Sequence, residues 1–134
     1  MVWAGAIVMA QKVSTPEELD KAMKAVLQNN MAANKAIQSG AFADAKAAVA
    51  NLKQALMSAE TFWVLKKKDD AVGFSKAAIG KVEAVEKALA AAAPDAAAVT
   101  AAFREVGPTC MGCHREYRDR DASGNYVIRP GKVD

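Results

Sequence analysis

The chain has 134 residues, enough for one domain around one hydrophobic core and too few for two ordinary ones. Its apolar content of 52% is dominated by alanine rather than by β-branched or aromatic residues, which favours helices over strands and predicts an all-α fold. A net charge of +3, from 18 basic and 15 acidic residues mixed along the chain, excludes the clustered basic footprint of a nucleic-acid binder.

The N-terminal stretch MVWAGAIVMAQ carries a short apolar run that ends like a secretory signal, in Val8-Met9-Ala10, but it lacks a basic start. It is too short to cross a bilayer, which takes about 20 residues. Residues 1–13 are therefore read as an N-terminal arm or a signal remnant, followed by a helical domain over 14–120 and an extended tail over 121–134.

The first helix opens at Thr15-Pro16-Glu17-Glu18, with Thr15 as cap, Pro16 at the first helical position and Glu18 placed for a capping box. Gly40 closes it. Its apolar stripe is Leu19, Met23, Val26, Leu27, Ala33 and Ile37, interrupted by Asn30 and Asn34, with Lys21, Lys24 and Lys35 off the stripe. A second helix over 43–67 shows Ala45, Val49, Leu52, Leu56, Ala59 and Trp63 at alternating fours and threes, the spacing of a bundle seam. Lys66 to Asp70 then puts cations at one helix end and anions at the next start, as a solvated turn that can also help dock an acidic partner.

The third helix, over 70–92, presents Val72, Ile79, Val82, Val85 and Leu89, with Gly73 and Gly80 placed to admit a neighbouring helix or a planar ligand. Pro94 ends its alanine-rich tail. A fourth helix from about residue 95 carries Val99, Phe103, Val106, Cys110, Cys113 and Tyr117 on one seam, and Gly107-Pro108 should kink it just before the cysteines. Short loops make neighbours antiparallel, which gives an up-down-up-down four-helix bundle.

Both cysteines and the single histidine fall in Cys110-Met111-Gly112-Cys113-His114. This CxxCH is the attachment sequence for c-type haem, because spacings of three and four on a helix turn both thiols and the imidazole toward one planar cofactor. The cysteines would form thioethers with the haem vinyl groups and His114 would give the proximal nitrogen to iron. Gly112 keeps the turn beneath the ring uncrowded. A zinc site would lack a fourth nitrogen or sulfur ligand, and a thioredoxin-like CxxC would need an α/β surround that the pattern does not offer.

With this motif in the last of four helices, VGPTCMGCHREYRDR resembles the class II c-type cytochromes, the family of cytochrome c′ and cytochrome c-556. The resemblance rests on Gly107, Cys110, Cys113, His114, Tyr117 and Arg118, and on AMKAVLQNNMAANKAI in the first helix. Pro108 and the tail after Arg120 depart from it. It implies one covalent haem c, an exported periplasmic protein or one at a membrane surface, redox partner proteins, and pairing of copies through the first two helices.

The resemblance also leaves one choice, between an iron saturated by methionine and one left open behind an apolar side chain. Two registers of the first helix place Met23 or Lys24 over the haem. Met23 shares the apolar stripe, whereas Lys24 lies about 100° away toward water, so Met23 is the expected sixth ligand. A His114 and Met23 pair makes a one-electron carrier with a raised potential. An open site would instead bind NO or CO, with Leu27 or Met23 as a steric gate, and the arm or tail could alternatively seat a haem subunit in a larger assembly. With the one histidine spent on iron there is no distal acid/base pair, so an enzyme is not expected. Arg115, Arg118, Lys21 and Lys24 are candidates to neutralise the haem propionates, Trp63 and Phe62 are read as packing, and Tyr117 is placed to pack on the proximal face.

Overall fold

The computed structural model describes residues 11–133. The signal-like run over 1–10 lies outside the described residues. In chain order the elements are α1 (Pro16–Ser39), α2 (Phe42–Leu65), α3 (Asp69–Leu89), α4 (Ala96–Arg104), α5 (Val106–Tyr117), β1 (Arg118–Arg120) and β2 (Tyr126–Ile128). α1, α2, α3 and the α4–α5 pair form a four-helix bundle in which each helix packs on the next in sequence. The ring closes through α4 and β2 on α1, while α5 leans mainly on α3.

The helix ends follow from local chemistry. Thr15 Oγ1 accepts the Glu18 backbone N–H at 3.2 Å, and Glu18 returns a carboxylate to the backbone of Ser14 at 3.1 Å, one residue before the cap. Gly40 ends α1 at φ 73°, a left-handed conformation that suits glycine. Asp95 caps α4 by accepting from the Ala97 N–H.

The bundle interior falls into two clusters along its length. At one end Val49, Leu52, Val82, Val85, Leu89 and Val99 are fully buried. Burial of each such leucine contributes about 1.5–3 kcal/mol. At the other end Leu19, Ala59, Phe62, Trp63, Ala71 and Tyr117 are buried together. The seam expected in α2 is buried along its whole length, from Ala45 to Trp63.

The structure differs from the sequence expectation in four places. The last helix is broken at Glu105 into α4 and α5, two residues before the expected kink, so that Pro108 stands in the first turn of α5, where its missing N–H leaves no bond unmade. α5 ends at Tyr117, and the segment read as an extended tail is a β-hairpin, with Arg118 opposite Ile128, Asp119 opposite Val127 and Arg120 opposite Tyr126. Asp121 organises its loop by accepting from the Ser123 and Asn125 N–H groups, and Gly124 takes φ 82°.

The other two differences concern side chains on the helix surfaces. Leu27 is 59% exposed, because α1 turns Ala22, Val26 and Ala33 inward instead. Gly73 and Gly80 have nothing within 4 Å of a would-be Cβ, so neither marks a close approach of a neighbouring helix. Among the described residues no helix is long and apolar enough to cross a membrane.

Candidate functional site

α5 brings Cys110, Cys113 and His114 onto one side of a short helix. Both cysteines are free and half-buried. Cys110 Sγ lies 3.8 Å from the Val106 carbonyl, one turn back. Burial pushes the Cys110 thiol up, and burial together with the nearby Asp70 and Cys110 pushes that of Cys113 to about 12. Both are therefore neutral thiols at pH 7, unlike the low-pKa cysteine of a thiol redox centre. His114 is half-buried, and burial followed by the Arg118 cation holds its pKa below the ordinary imidazole range. Its ring is neutral at pH 7 and can offer a nitrogen lone pair.

The neighbours of these residues are fixed by contacts that sequence reasoning did not identify. Gly112 sits against the Phe74 ring of α3, where a Cβ would stand 2.6 Å from the ring edge. Its role in this structure is to let α5 approach α3, and Phe74 is the residue it accommodates. Tyr117, buried at the end of α5, donates its hydroxyl hydrogen bond to Asp70 at 2.5 Å and lies 4.6 Å from the Trp63 ring. This bond is the first cause holding Asp70 below the ordinary carboxylate range, and burial followed by Asp70 raises the Tyr117 phenol. Asp70 had been visible only as a charge suited to a helix start, whereas it also ties α5 to α3.

Met23 on α1 is half-buried and packs on the cluster of Phe62, Trp63 and Tyr117, as Cys113 does from α5. Lys24, its sequence rival, is exposed and paired with Asp20 at 2.6 Å. Leu27, the other candidate steric gate, is exposed on α1. Phe62 and Trp63 are core residues that meet edge to face at 5.0 Å. Arg115 and Arg118 line an open depression beside His114, whereas Lys21 is exposed on α1. Among the described residues, no three His, Cys, Asp or Glu side chains cluster so as to hold a metal by protein ligands alone.

In comparisons with known proteins, the chain is 49% identical over 51 residues to the cytochrome c′ of Rhodocyclus tenuis. The chain resembles the class II c-type cytochromes. The matched stretch is 38% of this chain and 34% of the relative, so the chain matches about a third of the length of that cytochrome c′. No family model and no solved structure matches. The likeness to cytochrome c′, the helical bundle and the CxxC spacing of Cys110 and Cys113 agree with a covalently held haem.

Proposed function

We propose that this protein is a monohaem c-type cytochrome that carries one electron at a time, in which His114 and Met23 would both bind the haem iron. The observation that carries the reading is the placement of two free thiols and an imidazole within one turn and a little more of α5, with Met23 and Cys113 on one apolar cluster. The donor set fits haem c: two neutral thiols to form thioethers, a neutral His114 nitrogen, and the thioether of Met23 on α1, which packs on the same buried cluster as Cys113. When bound, the haem supplies an iron that exchanges one electron. The chain's own residues hold it and exclude water: Phe62, Trp63 and Tyr117 form the dry wall behind Cys113, and Asp70 fixes Tyr117.

Covalent haem attachment of this kind takes place outside the bacterial cytoplasm, which makes the protein periplasmic, free or bound at a membrane surface, and its partners redox proteins. A homodimer through α1 and α2 is supported by Leu27 and Met31, both more than half exposed on α1. A role as an electron carrier is proposed in place of enzymatic catalysis, since His114 is the chain's one histidine.

The likeness to cytochrome c′ supports a second reading, in which the sixth position is open and takes NO or CO. Ligand state separates the two. The oxidised protein is expected to be low-spin, and Met23→Ala to convert it to high spin with a lower reduction potential. A wild-type protein already high-spin, binding CO without displacing a ligand, would instead establish the gas-binding reading. Spin state unchanged by Met23→Ala in a low-spin protein would move the sixth ligand to another residue, with Lys24→Ala as the next variant.

A further inference from the structure

Beside His114, the end of α5 and the hairpin enclose an open depression of about 310 Å³. Its walls carry Arg115, Arg118, Arg120 and Arg129, with Asp119 as the one carboxylate among the lining residues. Among the described residues, none of these arginines is within 4.0 Å of a carboxylate oxygen, whereas four lysines of the chain are so paired. The guanidinium groups of Arg118, Arg120 and Arg129 are held by uncharged partners instead. Arg118 and Arg120 stack on the Tyr126 ring at 4.0 and 4.5 Å, Arg120 also donates to the Tyr126 hydroxyl at 2.6 Å, and Arg129 donates to the Arg115 carbonyl at 3.0 Å. Asp119 spends a carboxylate oxygen on the Arg120 backbone N–H.

Among the described residues, four arginines thus line one opening against a single carboxylate, that of Asp119, with which none of them forms an ion pair. Self-repulsion disfavours such an arrangement unless an anion completes it, and guanidinium groups pre-set in this way bind carboxylates with little further ordering. We propose that this depression is the docking face for an acidic redox partner, whose carboxylates seat on Arg115, Arg120 and Arg129 and bring that partner against the His114 side of the haem. The inference rests on the electron-carrier reading above and adds to it the electron's route and the sign of the partner's surface. Docking of this kind raises the association rate more than the final affinity and weakens with salt.

The test uses the haem-loaded protein and two trianions, redox-inert hexacyanocobaltate(III) and the oxidant hexacyanoferrate(III). Calorimetric titration with hexacyanocobaltate(III) should show binding that weakens by about tenfold as ionic strength rises from about 20 to about 200 mM. The pair Arg120→Gln and Arg129→Gln should weaken it at least about fivefold, whereas Arg120→Lys with Arg129→Lys, which keeps the charge, should stay closer to wild type. Removing two charges at the far end of the bundle, by Lys35→Gln and Lys46→Gln, should have little effect. In stopped flow, one electron passes from ferrous protein to hexacyanoferrate(III), giving ferric protein and hexacyanoferrate(II). The Gln pair should slow this reaction and leave oxidation by cationic tris(phenanthroline)cobalt(III) unslowed.

Equal slowing with both oxidants, trianion binding untouched by the Gln pair, or equal loss from the distant lysine pair would overturn the docking face. That includes the case in which the haem propionates already occupy the arginines. A protein with no covalent haem, seen in its absorption spectrum, overturns the function proposed above together with this role. A haem-loaded protein indifferent to the charge of its oxidant overturns the docking inference alone.

Discussion

Tyr117 and Asp70 show how much of the site depends on one hydrogen bond between helices. The phenol is buried, and its hydroxyl reaches a carboxylate at the rim whose residue remains exposed. Hydrogen bonds to charged groups contribute more than neutral ones, but solvent at Asp70 screens part of that gain. Tyr117→Phe should therefore cost about 1 kcal/mol in urea unfolding at neutral pH. The folded-state pKa of Asp70 lies below its ordinary 3.8, so the ionised form is favoured in the native protein. Its contribution is fully present above that ordinary value and is lost as pH falls through the lower, folded pKa. Wild type and Tyr117→Phe should accordingly converge in stability in strong acid. A constant difference between pH 7 and pH 2 would show that the cost is packing rather than the charged hydrogen bond.

Among the elements, the contact between α3 and α5 is the tightest constraint on where the cysteines stand. Phe74 occupies the space that a side chain at Gly112 would need. Gly112→Ala should destabilise the protein by about 1–3 kcal/mol, as overpacking usually does. The variant should lower the fraction of protein carrying covalent haem, and Phe74→Leu added to it should restore part of both losses. If Gly112→Ala melts like wild type, the ring has room to turn aside and the contact sets nothing.

Periodicity made these helices legible but not the contacts between them. The seam from Ala45 to Trp63 could be read from spacing alone, and the caps at Thr15, Gly40 and Asp95 follow from residue type. Phe74 was missed because nothing in its local spacing singles it out. Leu27 was misplaced because a helix with Ala22, Ala25, Ala33 and Ala36 has a shallow hydrophobic asymmetry, so the wheel does not fix which edge of the stripe turns inward. The hairpin left partial signs, Ser123-Gly124-Asn125 and Tyr126-Val127-Ile128, but its first strand is Arg118-Asp119-Arg120, three charged residues that follow a helix without a break. Pairing with β2 and the bond from the Arg129 N–H to the Tyr117 carbonyl make that segment a strand, and these are tertiary events. The same folding-back places Arg129 beside Arg115, so no reading of either residue alone could find the arginine-lined depression.

For the whole molecule, the division of the interior into two clusters predicts that stability and site integrity can be separated. Leu89 and Val99 belong to the cluster away from the cysteines, and Trp63 and Tyr117 to the one that holds Met23 and Cys113. Leu89 is fully buried, so Leu89→Ala should cost about 2–5 kcal/mol. Trp63→Phe, a smaller truncation beside Tyr117, should cost less but opens space where Met23 packs. If the clusters act as independent units, Leu89→Ala lowers the unfolding midpoint while leaving the absorption spectrum and reduction potential of the haem-loaded protein unchanged. Trp63→Phe then shifts the spectrum or potential at a smaller loss of stability. Changes at well-separated sites without shared partners add, so the double variant should show the sum of the two stability losses within about 0.5 kcal/mol. A spectrum altered by Leu89→Ala, or a clearly non-additive double variant, would mean that the bundle transmits strain along its length and that the end carrying Met23 and Cys113 is not held by its own cluster alone.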